Sequence, residues 1–139
     1  GYTDRQTQKY AHDLGMAFQL TNIIRDIGED ARRGRIYIPM DELKHFNVPA
    51  ADILNGRYSD NFTALMQFQY ERAEKYYEQA FAQLPAVDRK SQRPGLIMAA
   101  IYRTVLDEIR RENFQVLHQR ISLPPTRKLW LAAKTWIKG

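Results

Sequence analysis

Leu14-Gly15-Met16-Ala17-Phe18-Gln19-Leu20-Thr21-Asn22-Ile23-Ile24-Arg25-Asp26-Ile27-Gly28-Glu29-Asp30 reads as one helical run. At about 100° per residue, Gly15, Gln19, Asn22, Asp26 and Asp30 fall on one narrow stripe. Ile23, Met16, Ile27, Leu20 and Ile24 fill the adjacent arc, with Phe18 and Leu14 beyond it. A helix apolar around most of its circumference is expected to be buried, and two carboxylates and two amides on one line of it are unusual. Asp26 and Asp30 stand four residues apart, about 5–6 Å at Cβ. Their charges repel, and burial sharpens the conflict. A divalent cation resolves it. Oxygen-only donors suit a hard ion such as Mg²⁺, which is commonly completed by substrate phosphates. The competing reading pairs the aspartates with Arg25, Arg32 or Arg33 on a solvated helix end. Glu29 points off the stripe and reads as a surface residue.

Outward from this run the pattern is helical almost throughout. The first helix is expected over Asp4–Asp30, with Thr3 and Gln6 as a capping box. Gly34 and Pro39 bracket a break. Short helices are expected at Asp41–Phe46 and Ala50–Leu54. A long helix begins near Ser59 or Asp60, carries the apolar seam Phe62, Leu65, Met66, Gln69, Tyr70, Ala73, Tyr76, Tyr77, Ala80, Phe81 and Leu84, and stops at Pro85. Another starts after Arg93-Pro94 and runs through Ile97, Ile101, Tyr102, Val105 and Ile109. A last amphipathic helix follows Pro124-Pro125, with Leu129, Trp130, Ala133, Trp136 and Ile137 on its apolar face. The fold class is therefore all-α.

The chain has 139 residues, 44% hydrophobic and 27% charged, which marks a globular composition. It has no cysteine, which excludes a disulfide scaffold, a thiolate metal site and a cysteine nucleophile. No apolar run approaches the roughly 20 residues of a membrane span, and no charged-then-apolar signal segment opens the chain. We expect a cytoplasmic protein, able to rest on the inner face of a membrane. His12, His45 and His118 lack ligand spacing and read as surface or packing residues. The net charge of +5 is uneven. Between Arg110 and Gly139 stand seven basic residues and one acid, Glu112, giving that stretch +6 and the rest −1. Such a tail suits an anionic membrane surface through residues 126–138. Nucleic acid is the weaker alternative.

The Leu14–Asp30 run resembles the second aspartate-rich motif of the squalene/phytoene synthase family, the head-to-head prenyl synthases. Arg33-Gly34-Arg35-Ile36-Tyr37-Ile38-Pro39 resembles the segment that follows it. The stretches around Arg93-Pro94, Ile101-Tyr102-Arg103 and Ile121-Ser122-Leu123-Pro124 look like the bacterial presqualene diphosphate synthase branch. The resemblance implies an isoprenoid synthase helical fold and an enzyme, a prenyltransferase joining two prenyl diphosphates through a cyclopropyl diphosphate. The implied substrate is farnesyl diphosphate. The alternative is a phytoene synthase using geranylgeranyl diphosphate; an alternative of another class is a basic binding module without catalysis. The implied metal is Mg²⁺, or Mn²⁺ in its place, held by Asp26, Asp30 and Asn22. Gln19, Tyr37 and Tyr102 would be catalytic, and Asn22, Arg25, Arg35 and Arg120 would bind substrate. NADPH is implied if the reaction proceeds to squalene.

Such chemistry asks for a neutralised leaving group and a dry aromatic wall around a carbocation, with no nucleophilic side chain. The first aspartate-rich motif of the family has no counterpart here. Glu74 and Glu78 share its spacing but read as solvated charges. We therefore expect residues 1–139 to be the C-terminal portion of one synthase domain, inactive alone and prone to self-association. Asp26 and Asp30 are expected to line an apolar cavity.

Overall fold

Seven helices and no strand occur among the described residues: α1 Tyr2–Arg25, α2 Ile27–Arg32, α3 Met40–His45, α4 Ala50–Leu54, α5 Asp60–Gln83, α6 Arg93–Arg111 and α7 Pro125–Lys138. The structure is a computed structural model that describes residues 2–84 and 92–138, with side chains over 5–84 and 92–137. The expected long first helix is two helices meeting at Asp26. Because α1 already runs from Tyr2, Thr3 lies inside it and cannot be its cap. Ser59 caps α5, accepting a 3.0 Å bond from the Phe62 amide. Leu84 follows the last turn of α5 in an extended conformation; Pro85, the expected stop, lies outside the described residues.

α1, α5 and α6 form the central layer. Asp13 accepts from Gln83 at 2.9 Å and Thr21 meets Tyr77 at 2.8 Å, so α5 runs antiparallel to α1. Tyr70 donates to Asp107 and Arg103 to Glu74, so α6 runs antiparallel to α5. Ala17, Ala73 and Ala80 are fully buried and let α1 and α5 approach closely. Tyr10, Leu14, Leu20 and Ile24 pack with Phe62, Leu65, Met66 and Tyr77 in that core. Each such side chain contributes about 1.5–3 kcal/mol by leaving water.

Of the expected α5 seam, Tyr70, Tyr76 and Phe81 are half-buried and the rest are buried, including Gln69. That amide donates to Glu42, which also accepts from Arg72, fastening α3 to α5. On α6 the buried row is Leu96, Ala99, Val105, Leu106 and Ile109, which leaves Ile97 and Ile101 half-buried. One expectation, that for Glu74, is corrected. Glu74 is not a solvated charge: its side chain is 18% exposed and bonds Arg103 at 2.7 Å. Arg103 in turn lies over the Tyr77 and Phe81 rings, where stacking offsets lost hydration.

Thr21 spends its one hydroxyl proton on the Ala17 carbonyl at 2.8 Å, so Tyr77 is the donor to Thr21. Burial pushes the Tyr77 hydroxyl well above its ordinary value. Tyr77→Phe removes that donor and should lower stability by about 1 kcal/mol in a urea melt.

Candidate active site

Asp26 stands at the junction of α1 and α2 with φ −100° and ψ 10°. Its amide still donates to the Asn22 carbonyl, and its own carbonyl accepts from the Asp30 amide, both at 2.9 Å. The backbone thus carries the Asn22, Asp26, Asp30 series across the break.

The Asp26 carboxylate accepts two bonds from Arg25, Nε to Oδ1 at 2.8 Å and Nη2 to Oδ2 at 3.0 Å. Such a fork is among the stronger side-chain pairings. Arg120 adds a second cation, 3.6 Å from Asp26 and 4.0 Å from Glu29. Glu29 is therefore part of the charge cluster, though 38% exposed. Arg25 also lies over the Tyr102 ring at 5.9 Å. Tyr102 packs edge-on against Phe18, which packs edge-on against Tyr77. An aromatic wall therefore adjoins the charged cluster.

Asp30 has no such fork. Burial, then the negative charge of Asp26, raises its pKa; Arg33 and Arg35 pull the other way. The ionised carboxylate is thus disfavoured in the fold, and its destabilising effect is complete above the folded-state pKa and absent below the unfolded-state one. Asp30→Asn should accordingly raise the melting temperature of the metal-free protein near neutral pH. The gain should fade as pH falls through the titration of Asp30, as differential scanning calorimetry across pH would record.

Asn22 is half-buried, and its Oδ1 finds no hydrogen-bond donor among the described residues. A buried acceptor without a partner, beside two carboxylates in mutual repulsion, fits a cation. No group of three histidine, cysteine or carboxylate side chains is assembled for metal among the described residues. The donor set is two carboxylates and an amide oxygen, which suits Mg²⁺ completed by phosphate oxygens rather than an all-protein cage.

The loop from Glu112 to Pro124 delivers Arg120. It is docked on α2 by backbone contact at Gly28. A Cβ built on Gly28 would lie 2.4 Å from the Leu117 carbonyl oxygen and 2.5 Å from that of Val116. Arg32 donates to the same Leu117 carbonyl at 3.2 Å, and the Leu117 amide donates to the Tyr58 hydroxyl at 3.0 Å. His118 meets the Gly56 carbonyl at 2.7 Å and packs on Tyr58, consistent with its reading as a packing residue. The loop leaves α6 through Asn113 and Phe114, both left-handed, with φ 57° and 58°.

The expected site residues divide accordingly. Asn22, Arg25, Asp26, Asp30, Tyr102 and Arg120 are gathered by the contacts above. Arg35 is near enough to act on Asp30 and gives its amide to the Asp30 carbonyl at 2.8 Å. Gln19 lies on the same stripe but is exposed, as is Gly15. Tyr37 is 52% exposed and makes no bond or ring contact among the described residues. The Asp26 side chain is 22% exposed, so this end of the stripe is largely but not fully shielded from solvent. Of the competing cation pairings, Arg25 takes Asp26, whereas Arg32 turns to Leu117. Sequence reading missed Gly28 and Phe18. Glycine between two motif acids was the available signal for a close approach.

The family described as squalene/phytoene synthase matches residues 1–127. Phytoene synthase of Arthrospira platensis is 46% identical over 116 residues, 84% of this chain and 38% of that protein. The 15-cis-phytoene synthase of Synechocystis sp. is 39% identical over 132 residues, 95% of this chain and 39% of that protein. Phytoene synthase 3, chloroplastic, of Zea mays is 40% identical over 131 residues, 94% of this chain and 31% of that protein. The crystal structure of a dehydrosqualene synthase in complex with ligand superposes with a TM-score of 0.76 at 28% identity, over 93% of this chain and 46% of that one. The chain thus spans under half the length of these relatives. Its helices have the all-α isoprenoid synthase arrangement. The expected presqualene branch is corrected, since these curated relatives are phytoene synthases; short segments such as Ile121–Pro124 separate branches poorly.

Proposed function

The chain belongs to the squalene/phytoene synthase family, and from that premise we propose that it is the C-terminal portion of a phytoene synthase joining two molecules of geranylgeranyl diphosphate. The similarity to cyanobacterial and plant phytoene synthases carries this reading over the farnesyl alternative.

Asn22, Asp26 and Asp30 would hold Mg²⁺. When bound, that ion supplies Lewis-acid neutralisation of a diphosphate leaving group. Arg120, Arg33 and Arg35 add positive charge around the stripe, where departure of diphosphate increases the anionic charge. Arg25 fixes the Asp26 carboxylate in one orientation. Phe18 and Tyr102 present ring faces and edges that water cannot replace, which protects an allylic cation from capture. Gln19, one turn before Asn22, is open to the substrate carbons. Arg35, from the segment after α2, borders the Asp30 end of the stripe, and Tyr37 follows it two residues later. The aspartate-rich motif expected in the rest of the protein would share in holding the metal-bridged diphosphate.

Offered geranylgeranyl and farnesyl diphosphate in competition with Mg²⁺, the full-length protein should form a C40 hydrocarbon as its main product. Preferential formation of a C30 product would sink the geranylgeranyl assignment. No coupling of either substrate would sink the synthase reading itself.

A further inference from the structure

Residues 128–138, most of α7, lie beyond the family match, which ends at residue 127. This helix is amphipathic, and Leu129, Trp130, Trp136 and Ile137 on its apolar face point outward. Leu131, Ala132 and Thr135 are the half-buried positions that sit toward the rest of the chain. Arg93, at the start of α6, lies over the Trp136 ring at 4.6 Å and ties the helix down. Leu129 is 74% exposed and Ile137 83%, with Trp130 and Trp136 more than half exposed beside them. At about 100° per residue these four and Ala133 share an arc of roughly 120°.

Cations border that arc. Arg127 and Lys134 lie along one edge, whereas Lys128 falls between Thr135 and Ala132 on the other side of the helix; the Lys134 ammonium sits 4.9 Å from the Trp130 ring. After Glu112 the chain has no acid at all. No helix of the described residues is long and apolar enough to cross a membrane, so α7 would lie flat. Tryptophan and leucine on one face with lysine and arginine beside it is the arrangement of a helix seated at a headgroup boundary.

We propose that α7 docks on an anionic lipid surface, with Leu129, Trp130, Trp136 and Ile137 among the acyl chains and Arg127 and Lys134 at the headgroups. Charge complementarity selects this occupant. A second copy would bring one +6 tail against another. A nucleic acid would satisfy the cations but leave Leu129 and Ile137 in water. The proposal is independent of which prenyl diphosphate the protein uses.

The test uses the full-length protein with vesicles of phosphatidylcholine, alone or mixed with phosphatidylglycerol. Co-sedimentation should be roughly tenfold stronger on the anionic vesicles. Leu129→Ser/Ile137→Ser should lose most of that binding, and Arg127→Gln/Lys134→Gln should reduce it toward the neutral-vesicle level. Turnover of detergent-dispersed substrate and helical circular dichroism should be unchanged in both. Tryptophan emission should shift to the blue on anionic vesicles, and the shift should shrink in Trp130→Phe. Equal binding to both vesicle types, unchanged binding by Leu129→Ser/Ile137→Ser, or no emission shift because another part of the protein covers the face would each overturn the proposal. Binding to duplex DNA that anionic vesicles fail to displace would overturn it as well.

Discussion

Asp26→Ala in the full-length protein is expected to lower turnover about 10³-fold. Two effects combine. The substitution removes one of the two carboxylates that would hold the metal. It also leaves Arg25, whose side chain is 15% exposed, without its bidentate partner. The lost charge-assisted bonds should destabilise the fold by about 1–3 kcal/mol, since this pair is only partly screened by water. Asp26→Asn separates the effects. It keeps the volume and part of the hydrogen bonding to Arg25, so stability should recover while turnover stays low. Single-turnover kinetics with Mg²⁺ titration, beside a denaturant melt, read both. Turnover near wild type in either variant would remove Asp26 from the metal site.

Gly28→Ala should destabilise the protein by about 3 kcal/mol and displace Arg120. The added Cβ meets carbonyl oxygens from Val116 and Leu117, closer than any real contact allows, and backbone has no rotamer with which to yield. Either α2 or the 112–124 loop must shift. A shifted loop draws Arg120 away from Asp26 and Glu29, so turnover should fall further than the loss of stability alone explains. Gly15 is the internal control. It is also a helical glycine on α1, but its Cβ would meet nothing within 4 Å among the described residues. Gly15→Ala in the 139-residue chain should be neutral or stabilise by up to about 1 kcal/mol. Equal melting temperatures for the two alanine variants, both made in the 139-residue chain, would refute the close-approach argument.

Much of this architecture is legible residue by residue. Prolines and caps mark helix starts: Ser59 before α5, Pro94 in the first turn of α6 and Pro125 at the head of α7. The three-and-four spacing from Phe62 to Leu84 fixes which face of α5 is inside. The same spacing places Asn22, Asp26 and Asp30 on one line. What stays hidden depends on partners distant in sequence. Nothing local says that Arg25 folds back on its neighbour while Arg32 reaches a carbonyl 85 positions away. Glu74 looks solvated until α6 brings Arg103 to it. The apolar stripe of α7 is plain in the sequence, but its direction is not, because periodicity defines a face without saying what the face meets. The open position of Gln19 is a further case: a stripe can be aligned without being enclosed.

Asn113 and Phe114 carry a consequence for how the protein fails on heating. Two successive left-handed residues, one a fully buried phenylalanine, are intrinsically unfavourable and persist because packing holds them. Phe114 seated in the core, the Leu117 amide on Tyr58 and the Gly28 contact therefore act as one latch. If any of them lets go, the segment can relax toward right-handed geometry and carry Arg120 with it. Such a segment opens as a local unit below the temperature at which α1, α5 and α6 separate. In the full-length protein, loss of turnover should then precede the loss of helical signal, with amide exchange rising first around Leu117: function would go silent while the helices still stand.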